Sequence, residues 1–104
     1  MLNKESAKKI LRSAGFYVSA EDPDVGGVTM KSVNGRDIFV NYFDFLSNPA
    51  DHWGVIMVHE VGQGCALGNQ ISRERIEGAY LLERLVLRAI ETKAELEEAA
   101  PALV

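Results

Sequence analysis

The sequence has little of what marks secreted or membrane-spanning proteins. It contains one cysteine, three prolines and 8% aromatic residues in 104 residues. The single cysteine, Cys65, cannot form an intrachain disulfide, and such usage fits a reducing compartment. The sequence contains no run of about 18 apolar residues, so no membrane span is predicted. The first residues lack the apolar stretch of a signal peptide, so we expect a cytoplasmic protein.

The composition is that of one globular domain over residues 1–104. Hydrophobic residues make up 47% of the chain and charged residues 25%, a balance that argues against disorder. A chain of this length is expected to bury a core without metals or disulfides. The net charge of −4 disfavours broad, salt-driven binding to nucleic acid, because that binding needs a dense basic surface.

The first half of the chain predicts a short helix and a hairpin. The helix covers residues 3–14, with Asn3 as its cap and Gly15 at its end. The hairpin covers residues 28–45 around Asn34-Gly35, a dipeptide that favours a two-residue type I′ turn. That turn places Met30 opposite Phe39. We expect one face of the hairpin to be the core face, formed by Val28, Met30, Phe39, Phe43 and Phe45. The other face is mixed, with Thr29, Lys31, Val33, Ile38, Val40 and Tyr42.

The second half predicts a strand and a long helix. Residues 53–61 are apolar on both faces, as in a central strand. Residues 72–100 have a helical apolar pattern, with Ser72 as N-cap and Ile71 packed on Ile76 as a hydrophobic staple. The predicted fold class is therefore α+β in the order α-β-β-β-α. Its three- or four-stranded antiparallel sheet, built on the Asn34-Gly35 hairpin, packs against the long C-terminal helix.

The long helix carries the leading functional hypothesis. Its apolar arc exceeds half the circumference, whereas a surface helix needs a stripe of only about 100°. We therefore expect a second chain to cover it, either another copy in a homodimer or a different protein. Self-association would use this helix, the mixed face of the sheet, or both. The interaction residues predicted on this helix are Tyr80, Leu81, Glu83, Arg84, Leu85 and Arg88.

Glu83 lies near the middle of the predicted apolar arc. An unpaired buried carboxylate costs several kcal/mol, so we expect this side chain to be paired with an arginine or a backbone amide, to be protonated, or to lie near solvent. The alternative is a tuned acid or a residue that binds a partner. The chain has no concentrated set of catalytic residues, which favours a non-enzymatic regulatory or inhibitory module. Small acidic accessory proteins of bacteria and their phages offer an analogy for such a module.

Two other classes of function have weaker support. In the first, the glycine-rich connection before the predicted helix binds a small anion or nucleotide, because helix N-termini offer free amides. Its residues would be Gly62, Gly64, Gly68, Ser72, Arg73 and Arg75. In the second, a basic face on the first helix binds nucleic acid. That face would comprise Lys4, Lys8, Lys9 and Arg12.

Neither a metal nor a cofactor is predicted. His52, His59, Glu60 and Cys65 show none of the paired spacings of zinc sites. Cys65 could act as a nucleophile with a histidine as base, but no motif places the two together. A small buried apolar residue is the favoured interpretation of Cys65.

Overall fold

A computed structural model describes residues 2–44, 52–62 and 70–99. In chain order the elements are α1 (Lys4–Ser13), β1 (Phe16–Tyr17), β2 (Gly26–Thr29), β3 (Arg36–Asp44), β4 (His52–Glu60), β5 (Gln70–Glu77) and α2 (Leu81–Glu98). The strands form one sheet in the order β1-β2-β3-β4-β5, and every neighbouring pair is antiparallel. The predicted α+β class with an antiparallel sheet is confirmed. The sheet has five strands, and the expected three or four was too few.

The C-terminal helix is shorter than predicted. It begins at Leu81, and the predicted start at Ser72 is wrong because residues 70–77 form β5 beside β4. Gly78 with φ of +103° and Tyr80 with φ of +61° separate the strand from the helix. Alternating arginine and glutamate in β5 resemble a helix surface in sequence, although such charges are also typical of edge strands. In the sequence, Gly78 indicates that the predicted helix is interrupted, since glycine inside a helix costs about 1 kcal/mol relative to alanine.

The hairpin turn forms at Asn34-Gly35, but the strand register differs from the prediction. Val33 and Arg36 exchange backbone hydrogen bonds of 2.8 and 3.1 Å across the turn, and both turn residues have positive φ. Farther along, Phe39 pairs with Val28. The predicted pairing of Phe39 with Met30 is wrong, because the Met30 amide donates to the Gly15 carbonyl at 2.9 Å instead. A shift of two residues leaves each side chain on its original face.

Both helices pack on the same face of the sheet, which we call the covered face. Its core contains the side chains that the sequence placed on the mixed face, including Ile38, Val40 and Tyr42. Leu85 of α2 lies directly over Gly54, where an added Cβ would come within 2.9 Å of the leucine Cδ1. The remaining core residues are Ala7, Leu11, Phe16, Val18, Val25, Ile56, Val58, Ile76, Leu81, Val86 and Ala89.

The predicted core face of the hairpin is therefore wrong. Phe39 and Phe43 are only half-buried, and Met30 is 68% exposed. Aromatic size favoured that face in the sequence, but the helices pack on the β-branched residues of the other one. Phe45 lies outside the described residues. In the described part of the chain, no helix is long and apolar enough to cross a membrane.

Candidate interaction surface

The face of the sheet opposite the helices, which we call the open face, carries a concentration of aromatic, methionine and arginine side chains. The strand register assigns residues to it, because side chains that oppose one another on neighbouring strands lie on the same face. Its members on the three long strands are Asp37, Phe39, Asn41, Phe43, Trp53, Val55, Met57, His59, Arg73, Arg75 and Glu77. Val55 is buried, yet it does not belong to the core cluster under the helices.

A stack of three side chains crosses one end of the open face. The rings of Phe43 and Trp53 lie 4.4 Å apart at an interplanar angle of 26°. The guanidinium of Arg75 lies 4.7 Å from the Trp53 ring centroid and pairs with Glu77 at 3.2 Å. Stacked aromatic pairs contribute about 0.5–1.5 kcal/mol beyond burial, and exposed cation–π contacts about 0.5–1 kcal/mol. The stack holds Trp53 in one orientation.

A second row runs beside this stack. Tyr17 pairs with Val28, Val28 with Phe39, Phe39 with Met57 and Met57 with Arg73. Tyr17 is 64% exposed and Arg73 is exposed, whereas the three residues between them are half-buried. Aromatic residues, methionine and arginine are the types enriched at protein interfaces. The row therefore has the chemistry of an interface with an apolar centre and a polar end.

His59 is a buried polar residue on this face. It is fully buried and contacts Phe39 edge to face, with ring centroids 4.9 Å apart. Neither ring nitrogen has a hydrogen-bond partner among the described residues. An unsatisfied buried polar group costs about 1–3 kcal/mol. His59 is therefore a candidate functional residue on the open face, although the residue spacing in the sequence did not predict a role for it.

A polar cluster joins α1 to the ends of β3 and β4. The Tyr42 hydroxyl lies 3.2 Å from His52 Nδ1, and His52 Nε2 lies 2.6 Å from Asp44 Oδ1. Lys4 of α1 pairs with Asp24 at 3.3 Å, lies 3.9 Å from Asp44 and sits over the Tyr42 ring. Burial, and then the nearby Asp44 carboxylate, raise the pKa of Tyr42. The phenol therefore stays protonated, and the cluster serves to hold α1 in place.

The residues predicted to form an interaction surface on α2 are divided between the core and the exposed side of the helix. Leu81 and Leu85 lie in the core. Arg88 contacts Glu74 at 2.7 Å and Glu95 at 2.8 Å, and these hydrogen bonds, Glu95 foremost, raise its pKa. Tyr80 and Arg84 are exposed, and the Arg84 guanidinium donates to the Glu77 carbonyl at 2.6 Å.

The predicted position of Glu83 within an apolar arc is wrong, but the expected pairing of its carboxylate with a backbone amide is present. Glu83 is exposed and accepts a hydrogen bond of 2.9 Å from the backbone amide of Leu2. The prediction placed it in the apolar arc because Ile76 and Ala79 were counted as helical, but both precede α2. The buried side of α2 is formed by Leu81, Leu85, Val86, Ala89 and Thr92.

The predicted anion site lacks its helix N-terminus. Ser72, Arg73 and Arg75 lie in the middle of strand β5, so their backbone groups do not form the amide cluster that begins a helix. Gly62, with φ of +82°, follows β4 in a turn. Gly64, Gly68 and Cys65 lie outside the described residues.

The predicted basic face of α1 is only partly exposed, with Lys9 and Arg12 at the surface and Lys8 buried. Lys8 is 1% exposed and donates to the Asp22 carbonyl, because the segment after β1 returns across this side of the helix. Lys4 is held in the polar cluster, and Arg12 Nε donates to the Val18 carbonyl at 3.1 Å. Lys9 is exposed.

The described residues contain no group of three or more histidine, cysteine, aspartate or glutamate side chains placed to hold a metal ion. Comparison of the whole chain with protein-family models, curated proteins and solved structures found no match. The class defined by the structure is therefore an α+β protein with a five-stranded antiparallel sheet and two helices on one face. The surfaces of the protein are therefore the basis of the function proposed below.

Proposed function

We propose that this chain is a protein-interaction module that self-associates through the open face of its sheet. The observation that carries the proposal is the stack of Phe43, Trp53 and Arg75, which lies on the side of the sheet away from both helices. Tryptophan and arginine are the residues most enriched among those that dominate binding energy. The sequence pointed instead to the long helix or to the mixed face of the hairpin, and that mixed face lies under the helices.

The size of the face is compatible with a dimer. Five strands about 4.8 Å apart and up to nine residues long, at about 3.3 Å per residue, give a footprint of at most about 24 by 30 Å. That footprint approaches the roughly 800 Å² per partner of a standard interface. We therefore expect a dimer of modest affinity that forms at micromolar concentration.

The charges around the face favour a second copy as the partner. Arg73 and Arg75 lie on β5, while Glu77 and Asp37 lie near opposite ends of the sheet. A surface that carries both signs is able to pair with its own copy across a two-fold axis. Two such sheets would stack about 10 Å apart, with their apolar side chains interleaved.

The test uses Trp53, which is the sole tryptophan and lies within the proposed interface. Analytical ultracentrifugation from low to high micromolar concentration should show a monomer–dimer equilibrium, and tryptophan emission should change along the same curve. Met57→Glu should abolish both changes because it puts a charge at the centre of the face. Leu87→Glu is the matched control, since Leu87 is 57% exposed on α2. A chain that stays monomeric at high micromolar concentration with constant emission would refute self-association.

A further inference from the structure

A second surface lies at the outer edge of β5, and it shares Arg73 and Arg75 with the open face. β5 is an edge strand of eight residues. In the described part of the chain, only β4 pairs with it. Residues 71–75 are all exposed. An edge of this length presents a row of backbone donors and acceptors that another extended chain is able to pair with.

A groove runs between this edge strand and α2. Its lining combines less polar side chains with charged ones: Ile56, Val58, Thr92 and Leu96 beside Arg36, Glu74, Arg88 and Glu95. Ile71 at the β5 side is 45% exposed. The cavity holds about 180 Å³, slightly more than the roughly 150 Å³ that accommodates benzene in an engineered core. It therefore has room for one branched aliphatic or aromatic side chain.

The two sides of β5 differ in charge. On the side that faces the helices, the small side chain of Ser72 lies beside the groove, and Glu74 forms an ion pair with Arg88 at 2.7 Å. On the open side, Arg73 is exposed and forms no ion pair with any described residue. Arg75 lies two residues farther along the same side. Residues directly opposite on paired strands interact, and opposite charges there are stabilising.

We propose that the outer edge of β5 binds an extended acidic peptide segment in which apolar and acidic residues alternate. The segment adds a sixth strand to the sheet. Its apolar side chains lie on the helix side, where one enters the groove beside Ile71. Its acidic side chains lie on the open side, opposite Arg73 and Arg75. Because side chains alternate between the two sides of a strand, one peptide is able to place its apolar and its acidic side chains on their respective sides.

The test titrates the full chain with a capped octapeptide that alternates valine and glutamate. Amide NMR shifts should change along residues 70–77 and along the groove side of α2. A valine–lysine octapeptide should bind about tenfold more weakly, which corresponds to roughly 1.4 kcal/mol. A valine–glutamate peptide with two central prolines should not bind, because proline lacks the amide needed for strand pairing.

Substitutions separate the two sides of the site. Arg73→Glu should invert the preference between the glutamate and lysine peptides, whereas Lys9→Glu, the same change on α1, should leave it unaltered. Ile71→Ser should weaken binding, and Leu87→Ser should not. Equal binding of the two charged peptides, binding of the proline peptide, or no binding at all would overturn the proposal. Shift changes confined to the open face would also overturn it. Arg73 and Arg75 also belong to the open face, so the titration is made at a concentration where ultracentrifugation shows only monomer. Under that condition each result is independent of dimerisation.

Discussion

The two faces of the sheet are equally regular in backbone but differ in what their side chains do. The covered face presents β-branched aliphatic residues such as Ile38, Val40 and Ile56, all buried under the helices. The open face presents Phe39, Phe43 and Trp53, all half-buried. Compact branched side chains fit closely beneath a helix. Broad aromatic side chains can stack on one another without a covering layer.

Buried polar groups show the same difference between the faces. On the covered side, the Thr29 hydroxyl accepts from the Ile38 amide at 3.1 Å, the Thr92 hydroxyl donates to the Arg88 carbonyl at 2.7 Å, and Lys8 donates to the Asp22 carbonyl. On the open side, His59 is buried with no such partner among the described residues. These three side chains therefore have hydrogen-bond partners that His59 does not have among the described residues.

The largest effect on stability is expected at the centre of the covered face. Leu85 is fully buried, so Leu85→Ala should lower the free energy of unfolding by about 3 kcal/mol, within the usual range of about 2–5. Urea unfolding followed by circular dichroism measures the loss. Met57→Ala on the open face is the comparison, and a loss there as large as that of Leu85→Ala would erase the distinction between the faces.

Gly54→Ala should cost about 2 kcal/mol by overpacking. An added Cβ would lie 2.9 Å from Leu85 Cδ1 and 3.0 Å from its Cδ2. In the Leu85→Ala background the same change should cost almost nothing, because the new methyl group fills space that the leucine vacated. A double-mutant cycle measures this coupling. Additive losses would show that α2 does not contact β4 at this point.

The Asn34-Gly35 turn should stabilise the C-terminal end of α2. The Asn34 side-chain amide donates to the Leu96 carbonyl and, at 3.0 Å, to the Ala99 carbonyl. Asn34→Asp removes the donor and places a negative charge at the negative end of α2, so it should cost about 1–2 kcal/mol. Asn34→Gly keeps the positive φ and isolates the lost hydrogen bonds. Thermal unfolding that is unchanged in both variants would contradict this capping role.

On the open face, substitution of His59 should increase stability. His59→Leu removes two unsatisfied nitrogens at similar volume and should raise the free energy of unfolding by about 1 kcal/mol. On the covered face, Thr29→Val removes a hydroxyl that has a hydrogen-bond partner. It should lower the free energy of unfolding, because the Ile38 amide loses its acceptor. Denaturant unfolding of both variants decides whether the faces differ in this way. A loss of stability in His59→Leu would reverse our assignment.

The smallest effect is expected at alkaline pH. Because the pKa of Tyr42 is raised in the folded chain, the unfolded chain loses its proton first, from about pH 10. Stability should therefore be intact below that pH and fall as the pH rises through the folded pKa. Tyr42→Phe should remove this part of the alkaline decline, and Tyr17→Phe should not. Unfolding at a series of alkaline pH values provides the measurement, and identical declines in the two variants would count against the assignment.

Much of the fold follows from local sequence signals. Asn3 accepts from the Ser6 amide at 2.8 Å and caps α1, and Asn34-Gly35 forms its turn, because both depend on the conformational preferences of a few adjacent residues. The strand β5 did not follow from local signals. Its arginines and glutamates suit a helix surface as well as an edge strand, and only pairing with β4 decides between them.

The candidate surfaces were even less accessible to sequence reasoning. Alternation along β3 shows that the strand has two faces, but it does not say which face the helices choose. That choice depends on Leu85 meeting Gly54 and on the close fit of branched side chains, contacts between residues more than 30 positions apart. The sequence by itself determined the α+β class, the Asn3 cap of α1 and the hairpin turn. The tertiary structure alone decided which face is the core and which surfaces remain available, because burial depends on the packing of elements that are distant in the chain.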